Sequence, residues 1–260
     1  MRFIYIVSVF ILFSCVSTNN TERAEKYALL SMQEQHSFGH WFSFPSDNMI
    51  TVIGVSNRMR TRDAEITAAK EDAAQKISMF HGIEGNIETM TSTGSNIMDF
   101  AHIPTTELKY NLDFNQYIDK LIFDPEQDVF IANEAVYVRF RYAAEASSLN
   151  YFPSINNHRP IWTNNRDLPR FDNYHVAVGY SQNQRYFRDT VLRAVQNAVV
   201  QMINNLYSSL ETLEVDNQGQ GAVSTTRSVS SGKLNNFQVI EYWIDPQTRA
   251  VWTLAIAKKD

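Results

Sequence analysis

Two Gly-x-Ser triplets, Gly54-Val55-Ser56 and Gly179-Tyr180-Ser181, are the first candidates for chemistry in this chain of 260 residues. A serine on a tight strand-to-helix turn is how G-x-S-x-G hydrolases present their nucleophile, yet neither triplet continues to the second glycine. Nothing in the sequence pairs either hydroxyl with a base, so both serines are read as folding features at a strand end. Asp124, Glu126 and Asp128 alternate like the start of a calcium loop, but Val129 stands where that loop needs glycine and Ala135 where it needs a bidentate Glu. A solvated hairpin turn is the better reading. The histidines His36, His40, His81, His102, His158 and His175 show no metal-ligand spacing, and no phosphate-cradling glycine loop occurs. Tyr137, Arg139 and Arg141 are expected on a solvated strand face, with contact to a partner as the alternative. No catalytic, cofactor or metal residue is assigned.

The remaining reactive group is Cys15, the only cysteine, so no intramolecular disulfide is available. It follows Met1-Arg2, a small positive segment, and the apolar run Phe3–Phe13, interrupted by Ser8. A run of about ten residues suits the core of a signal peptide, whereas a membrane-spanning helix needs about 20. Leu12-Phe13-Ser14-Cys15 resembles a bacterial lipobox, in which a small residue before the cysteine admits the signal peptidase and the thiol carries lipid. The alternatives are an ordinary secretory signal or an uncleaved anchor. Residues 1–14 are therefore expected as signal, and residues 15–38 as lipidated cysteine, polar tether and a short helix over Glu22–Gln35. Loss of Arg2 with the signal takes the formal charge from −5 to −6. A mildly acidic surface argues against broad nucleic-acid binding.

A repeat positions the two serines. Ile50–Ile77 and His175–Met202 align without a gap at an offset of 125 positions, bringing Gly54 to Gly179, Ser56 to Ser181, Arg60 to Arg185, Ala69 to Ala194 and Ala73 to Ala198. Ile66, Ala69, Ala73 and Ile77 keep one helical face apolar, as do Val191, Ala194, Ala198 and Met202. Each copy reads as strand, glycine turn and amphipathic helix. The first helix is predicted over Arg62–Phe80 with Gly82 as its stop. The second is predicted from about Gln184, with Leu206, Leu210 and Leu213 carrying it onward. Hairpins close both copies: Tyr117–Phe123 through Asp124-Pro125 to Val136–Tyr142, and Gln238–Ile244 through Asp245–Thr248 to Arg249–Ala257.

The predicted fold is α+β: two tandem two-layer domains, each strand-helix-strand-strand with its helix on a small antiparallel sheet. Boundaries fall at 39–145 and 174–260, with 146–173 as linker. Trp41 and Trp162 are expected to anchor the segments that enter each copy. Residues 85–116, including Ser92-Thr93-Gly94-Ser95, are expected as loop. The Gly/Ser/Thr-rich stretch 218–232 is expected as a mobile loop or an exposed strand.

Trp41 followed by Val52-Ile53-Gly54-Val55-Ser56, the alanine-spaced helix, and Glu241–Ala255 resemble the twenty-kilodalton bacterial surface lipoprotein family, related to the amino-terminal domain of flagellar assembly protein T. The resemblance spans Trp41–Tyr142 and Trp162–Lys259. It implies an envelope protein held in its membrane by several acyl chains on Cys15, with soluble domains in the periplasm or at the cell surface. It brings no catalytic residues and no cofactor, and implies an envelope or motility-associated protein partner. The competing expectation, from the residues alone, is a small-ligand-binding or hydrolytic lipoprotein with its site between the two domains.

Overall fold

The structure, a computed structural model, describes residues 49–94, 103–111, 113–132, 135–144, 151, 159–164, 167–215 and 223–259. Cys15, the signal, the helix expected at Glu22–Gln35 and Trp41 lie outside the described residues. The chain runs β1 (Met49–Asn57), α1 (Arg62–His81), β2 (Ile83–Gly94), β3 (Ile103–Lys109), α2 (Asn115–Ile118), β4 (Val129–Ala132) and β5 (Ala135–Ala143). A single 3₁₀ turn, Ile161–Thr163, precedes β6 (Tyr174–Ser181), α3 (Phe187–Tyr207), β7 (Ser208–Val215), β8 (Val223–Ile244) and β9 (Val251–Lys258). The fold is α+β, with every strand pair antiparallel. One sheet has the order β1-β5-β4; the other has β3-β2-β8-β9-β6, with β7 also paired to β8.

The two glycines explain why each helix lies flat on its first strand. A Cβ on Gly54 would stand 2.0 Å from the carbonyl oxygen of Ala69, and one on Gly179 would stand 1.8 Å from that of Ala194. Only a residue without a side chain admits that approach. The helix starts match as well. Glu65 accepts from the backbone N–H of Met59 at 2.9 Å, and Thr190 accepts from that of Gln184 at 2.9 Å, both pairs offset by 125 positions. Thr61 caps α1 by accepting from Ala64 N–H. Gly82, at a φ of +152°, ends it by donating its N–H to Met79.

Four expectations change. The helix predicted to run on through Leu210 and Leu213 stops at Tyr207; those leucines belong to β7, whose ladder with β8 supplies the backbone hydrogen bonds that a longer helix would have made. α3 also begins at Phe187 rather than near Gln184. The loop expected at 85–116 is largely sheet: β2 pairs with β3 and, over twelve positions, with β8, so Ser92, Thr93 and Gly94 lie in a strand. Tyr117–Phe123 is not the first strand of a hairpin. Tyr117 ends up buried on α2, stacked 5.1 Å from His81, and Ile122 makes only an isolated bridge to Arg141; β4 is the strand that pairs with β5.

The units expected at 39–145 and 174–260 are joined through β2 and β8. The largest core mixes Ile53, Val55 and Met79 from the first with Ala177, Val191 and Ile203 from the second. A smaller core between α1 and β5 belongs to the first unit, and another, centred on Trp162, belongs to the second.

Gly179→Ala is expected to lower the unfolding free energy by about 3 kcal/mol, the upper end for over-packing, because a methyl group would have to displace helix backbone. Gly232→Ala should cost less, since the nearest atoms to its methyl belong to the Tyr207 ring, which can move by giving up its hydrogen bond to the Lys233 carbonyl, rather than to helix backbone. Urea unfolding followed by tryptophan fluorescence measures both.

Candidate functional site

Ser56 and Ser181 occupy equivalent places at the ends of β1 and β6 and are 0% and 3% exposed. Each hydroxyl donates to the carbonyl of its own neighbour, Asn57 at 3.0 Å and Gln182 at 3.1 Å. These are buried turn contacts rather than presented nucleophiles. Asp124, Glu126 and Asp128 form a closed turn. Asp124 accepts from Glu126 N–H, Asp128 accepts from Asp124 N–H at 2.7 Å, and the Arg139 guanidinium donates to Asp128 at 2.6 Å. The carboxylates of Asp124 and Asp128 are therefore held by backbone donors and arginine, while Glu126 is exposed. Among the described residues no group of three or more His, Cys, Asp or Glu is placed to hold a metal. His36, His40, His102 and His158 lie outside the described residues.

Tyr137 is 2% exposed and packs on Phe187, which overturns its expected place on a solvated face. The second half of the chain covers that side of β5, so the alternation that points Tyr137 away from the first core points it into the shared one. Arg139 and Arg141 both face Asp128, at 2.5 and 3.6 Å.

Between the halves, the edge of β1 is sealed by two helix side chains. Asp72 accepts from Val55 N–H at 2.8 Å, and Lys76 donates to Ile53 O at 2.7 Å and to Asp72 at 2.7 Å. Burial by itself would push the Lys76 ammonium down; the Asp72 carboxylate and the Tyr242 hydroxyl outweigh it and hold the pKa above the ordinary lysine value. The void left at this seam, lined by Ile53, Lys76, Phe80, Phe237, Val239 and Tyr242, is ≈ 20 Å³. That is room for about one water molecule.

The same scaffold position in the second half is open. A groove of ≈ 940 Å³ runs along the β6 edge, with Val178 and Tyr180 from β6, Asn197, Val200 and Gln201 from α3, and Arg159, Asn164 and Asp167 from the incoming segment. Tyr180 and Asn197 stand 125 positions after Val55 and Asp72, and Asn197 donates to the Tyr180 carbonyl at 2.7 Å. Tyr180 is 41% exposed, its ring centroid 4.5 Å from that of Trp252, which lies 4.9 Å from Trp243; the Arg159 guanidinium sits 4.6 Å from the Trp252 ring. An aromatic file beside amide side chains on a strand edge suits an extended polypeptide. In the sequence Tyr180 stands out only as the middle of a Gly-x-Ser triplet and Trp252 only as an alternating residue of the second hairpin, and Arg159 belongs to the expected linker. The available signal was the near-symmetric placing of Trp243 and Trp252 about the Asp245–Thr248 turn, which makes them a cross-strand pair.

Trp162 is 1% exposed and anchors the incoming segment as expected, through an indole N–H donated to Glu241 at 2.8 Å. Tyr151 donates to the same carboxylate oxygen at 2.6 Å. Burial raises the Glu241 carboxyl to about 7, and the two donors only partly oppose it.

No family model, no curated protein and no solved structure matches this chain.

Glu241 binds its proton more tightly folded, at about 7, than at the ordinary value of 4.5. Its stabilising protonation is present below the unfolded value and lost as pH rises through the folded one. Stability should therefore fall by about 3 kcal/mol between pH 4.5 and 7, and Glu241→Gln, which keeps an acceptor for Trp162 and Tyr151, should flatten that slope in urea titrations. Ser56→Ala and Ser181→Ala should each cost about 1 kcal/mol in the same assay.

Proposed function

We propose that this protein is a non-enzymatic bacterial envelope lipoprotein, anchored by lipid on Cys15, whose joined α/β halves form an interaction or assembly module. The observation that supports it best is the groove along β6. The equivalent place in the first half is filled by a strand, Phe237–Tyr242 of β8, so the fold already uses this position for polypeptide-on-polypeptide packing. Ser56 and Ser181 are engaged in turns, the Asp128 carboxylate in an ion pair with Arg139, and the void at the β1 edge has room for about one water molecule. No helix of the described residues is long and apolar enough to cross a membrane.

Two measurements on the full-length protein in its membrane test this reading. Intact mass should show cleavage before Cys15 and added acyl chains, and Cys15→Ala should lose the acylated, membrane-bound form. A photo-crosslinking amino acid at Tyr180 should give protein adducts that the same group at Met59, exposed on the other half, does not. An unacylated native protein or an adduct-free groove overturns the corresponding half of the proposal.

A further inference from the structure

The four strands at the far end of the larger sheet run in the order β3-β2-β8-β7. β2 and β7 are equivalent outgoing strands: each follows its helix, and Ile83 and Ser208 lie 125 positions apart. β3 and the first part of β8 are equivalent return strands. Glu84 pairs with Lys109 as Ser209 pairs with Val229, which brings Thr105-Thr106 into register with Thr225-Thr226. The order is thus return, outgoing, return, outgoing. A twofold relation between the halves would give a palindrome; this order is head-to-tail, and it leaves a return strand at one end and an outgoing strand at the other, each paired on one side only among the described residues.

The groove obeys the same relation. In the seam, Ile53 and Lys76 face Phe237, Val239 and Tyr242; Val178 and Gln201, 125 positions later, line the open groove. The first-half counterpart of Tyr242 is Val129, because Tyr242 pairs with Thr253 opposite Gly179, and Val129 pairs with Val138 opposite Gly54. The turn leading into Val129 exposes Pro125, Glu126 and Gln127. Glu126 there and Arg159 on the groove wall carry opposite charges.

Resting on the interaction reading above, we infer that the partner is a second copy of this chain: β7 and the groove of one molecule take β3 and the Asp124–Val129 turn of the next, repeating between molecules the junction within each. Carrying the β2–β8 register across by the repeat places Leu213 opposite Lys109, Glu214 opposite Leu108 and Val215 opposite Glu107. Pro104, which has no N–H to donate, falls outside those pairs. A heterologous contact of this kind closes into a ring or continues as a filament.

Cysteine pairs test it in the full-length protein on membranes under mild oxidation. Leu213→Cys mixed with Lys109→Cys should give a disulfide-linked dimer, each variant alone should lose it, and the double variant should give a ladder or a ring-sized species. Val215→Cys with Glu107→Cys repeats the test at an independent position, and unchanged thermal unfolding shows that the variants fold. A crosslink formed by either single variant alone establishes a twofold contact and overturns the head-to-tail arrangement. Absence of crosslinks in both mixtures, while Tyr180 photo-adducts contain a different envelope protein, overturns self-assembly and leaves the interaction module standing. Absence of both kinds of adduct overturns both.

Discussion

A strand edge buried without a neighbouring strand is the constraint on which this structure turns. Among the described residues β1 pairs only with β5, yet its other side is closed over by the second half of the chain, so Val55 N–H and Ile53 C=O are satisfied by side chains rather than by a ladder. Asp72 and Lys76, one turn apart on α1, do this as a mutually neutralising pair. Leaving either one alone would strand a buried charge, at a cost of about 3–5 kcal/mol. Their reach fixes how far α1 stands from β1, and Gly54 makes that distance short. The Lys76 ammonium then lies 5.5 Å from the Tyr242 ring, and Arg188 approaches the second oxygen of Asp72 at 3.8 Å, so the pair also ties the first half to the second. At the equivalent edge of β6 stands a single neutral Asn197, which donates to the Tyr180 carbonyl, and that side opens into the groove.

β8 is the second organising element. Its first part carries the ladders to β2 and β7 and its last part the ladder to β9, so one strand belongs to both regions of the sheet. The change of direction occurs at register shifts between Asn235 and Gln238 and between Val239 and Glu241, with Asn236 at a φ of +51°. The second shift lets Glu241 share the Trp162 side of the sheet with Ile240, while Tyr242 faces the seam. One irregularity thus sets both the anchor of the incoming segment and the aromatic wall of the junction.

The repeat explains why the polar residues at its strand–helix junctions are engaged in structural hydrogen bonds. Ser56, Ser181, Glu65, Thr190, Asp72 and Asn197 each sit where strand and helix meet, and each satisfies backbone or turn groups that the close glycine packing would otherwise leave unpaired. Ser56, Ser181, Glu65, Thr190 and Asp72 are buried in these contacts, while Asn197 stands half-buried on the wall of the β6 groove. The unengaged surface is the β6 groove and the outer strands, where the two halves differ in residue type while keeping the same backbone.

The 125-residue repeat, the helix stop at Gly82, the second hairpin and the anchoring role of Trp162 were legible in the sequence, because each depends on local geometry or on a period that a few residues impose; the expected glycine turns were not found, since Gly54 and Gly179 lie inside β1 and β6. The end of α3, the strands within 85–116 and the burial of Tyr137 were not legible. Leu206, Leu210 and Leu213 satisfy a helical spacing, and only the ladder to β8, which sets Leu210 opposite Ser228 and Leu213 opposite Thr225, decides for a strand after Tyr207. Tyr137 alternates as a solvated residue would, until the other half of the chain covers it. By itself the sequence determined the two helices, the strand before each and the second hairpin. Tertiary structure decided which edges pair, which are sealed and which stay open, since edge pairing depends on neighbours that no local pattern encodes.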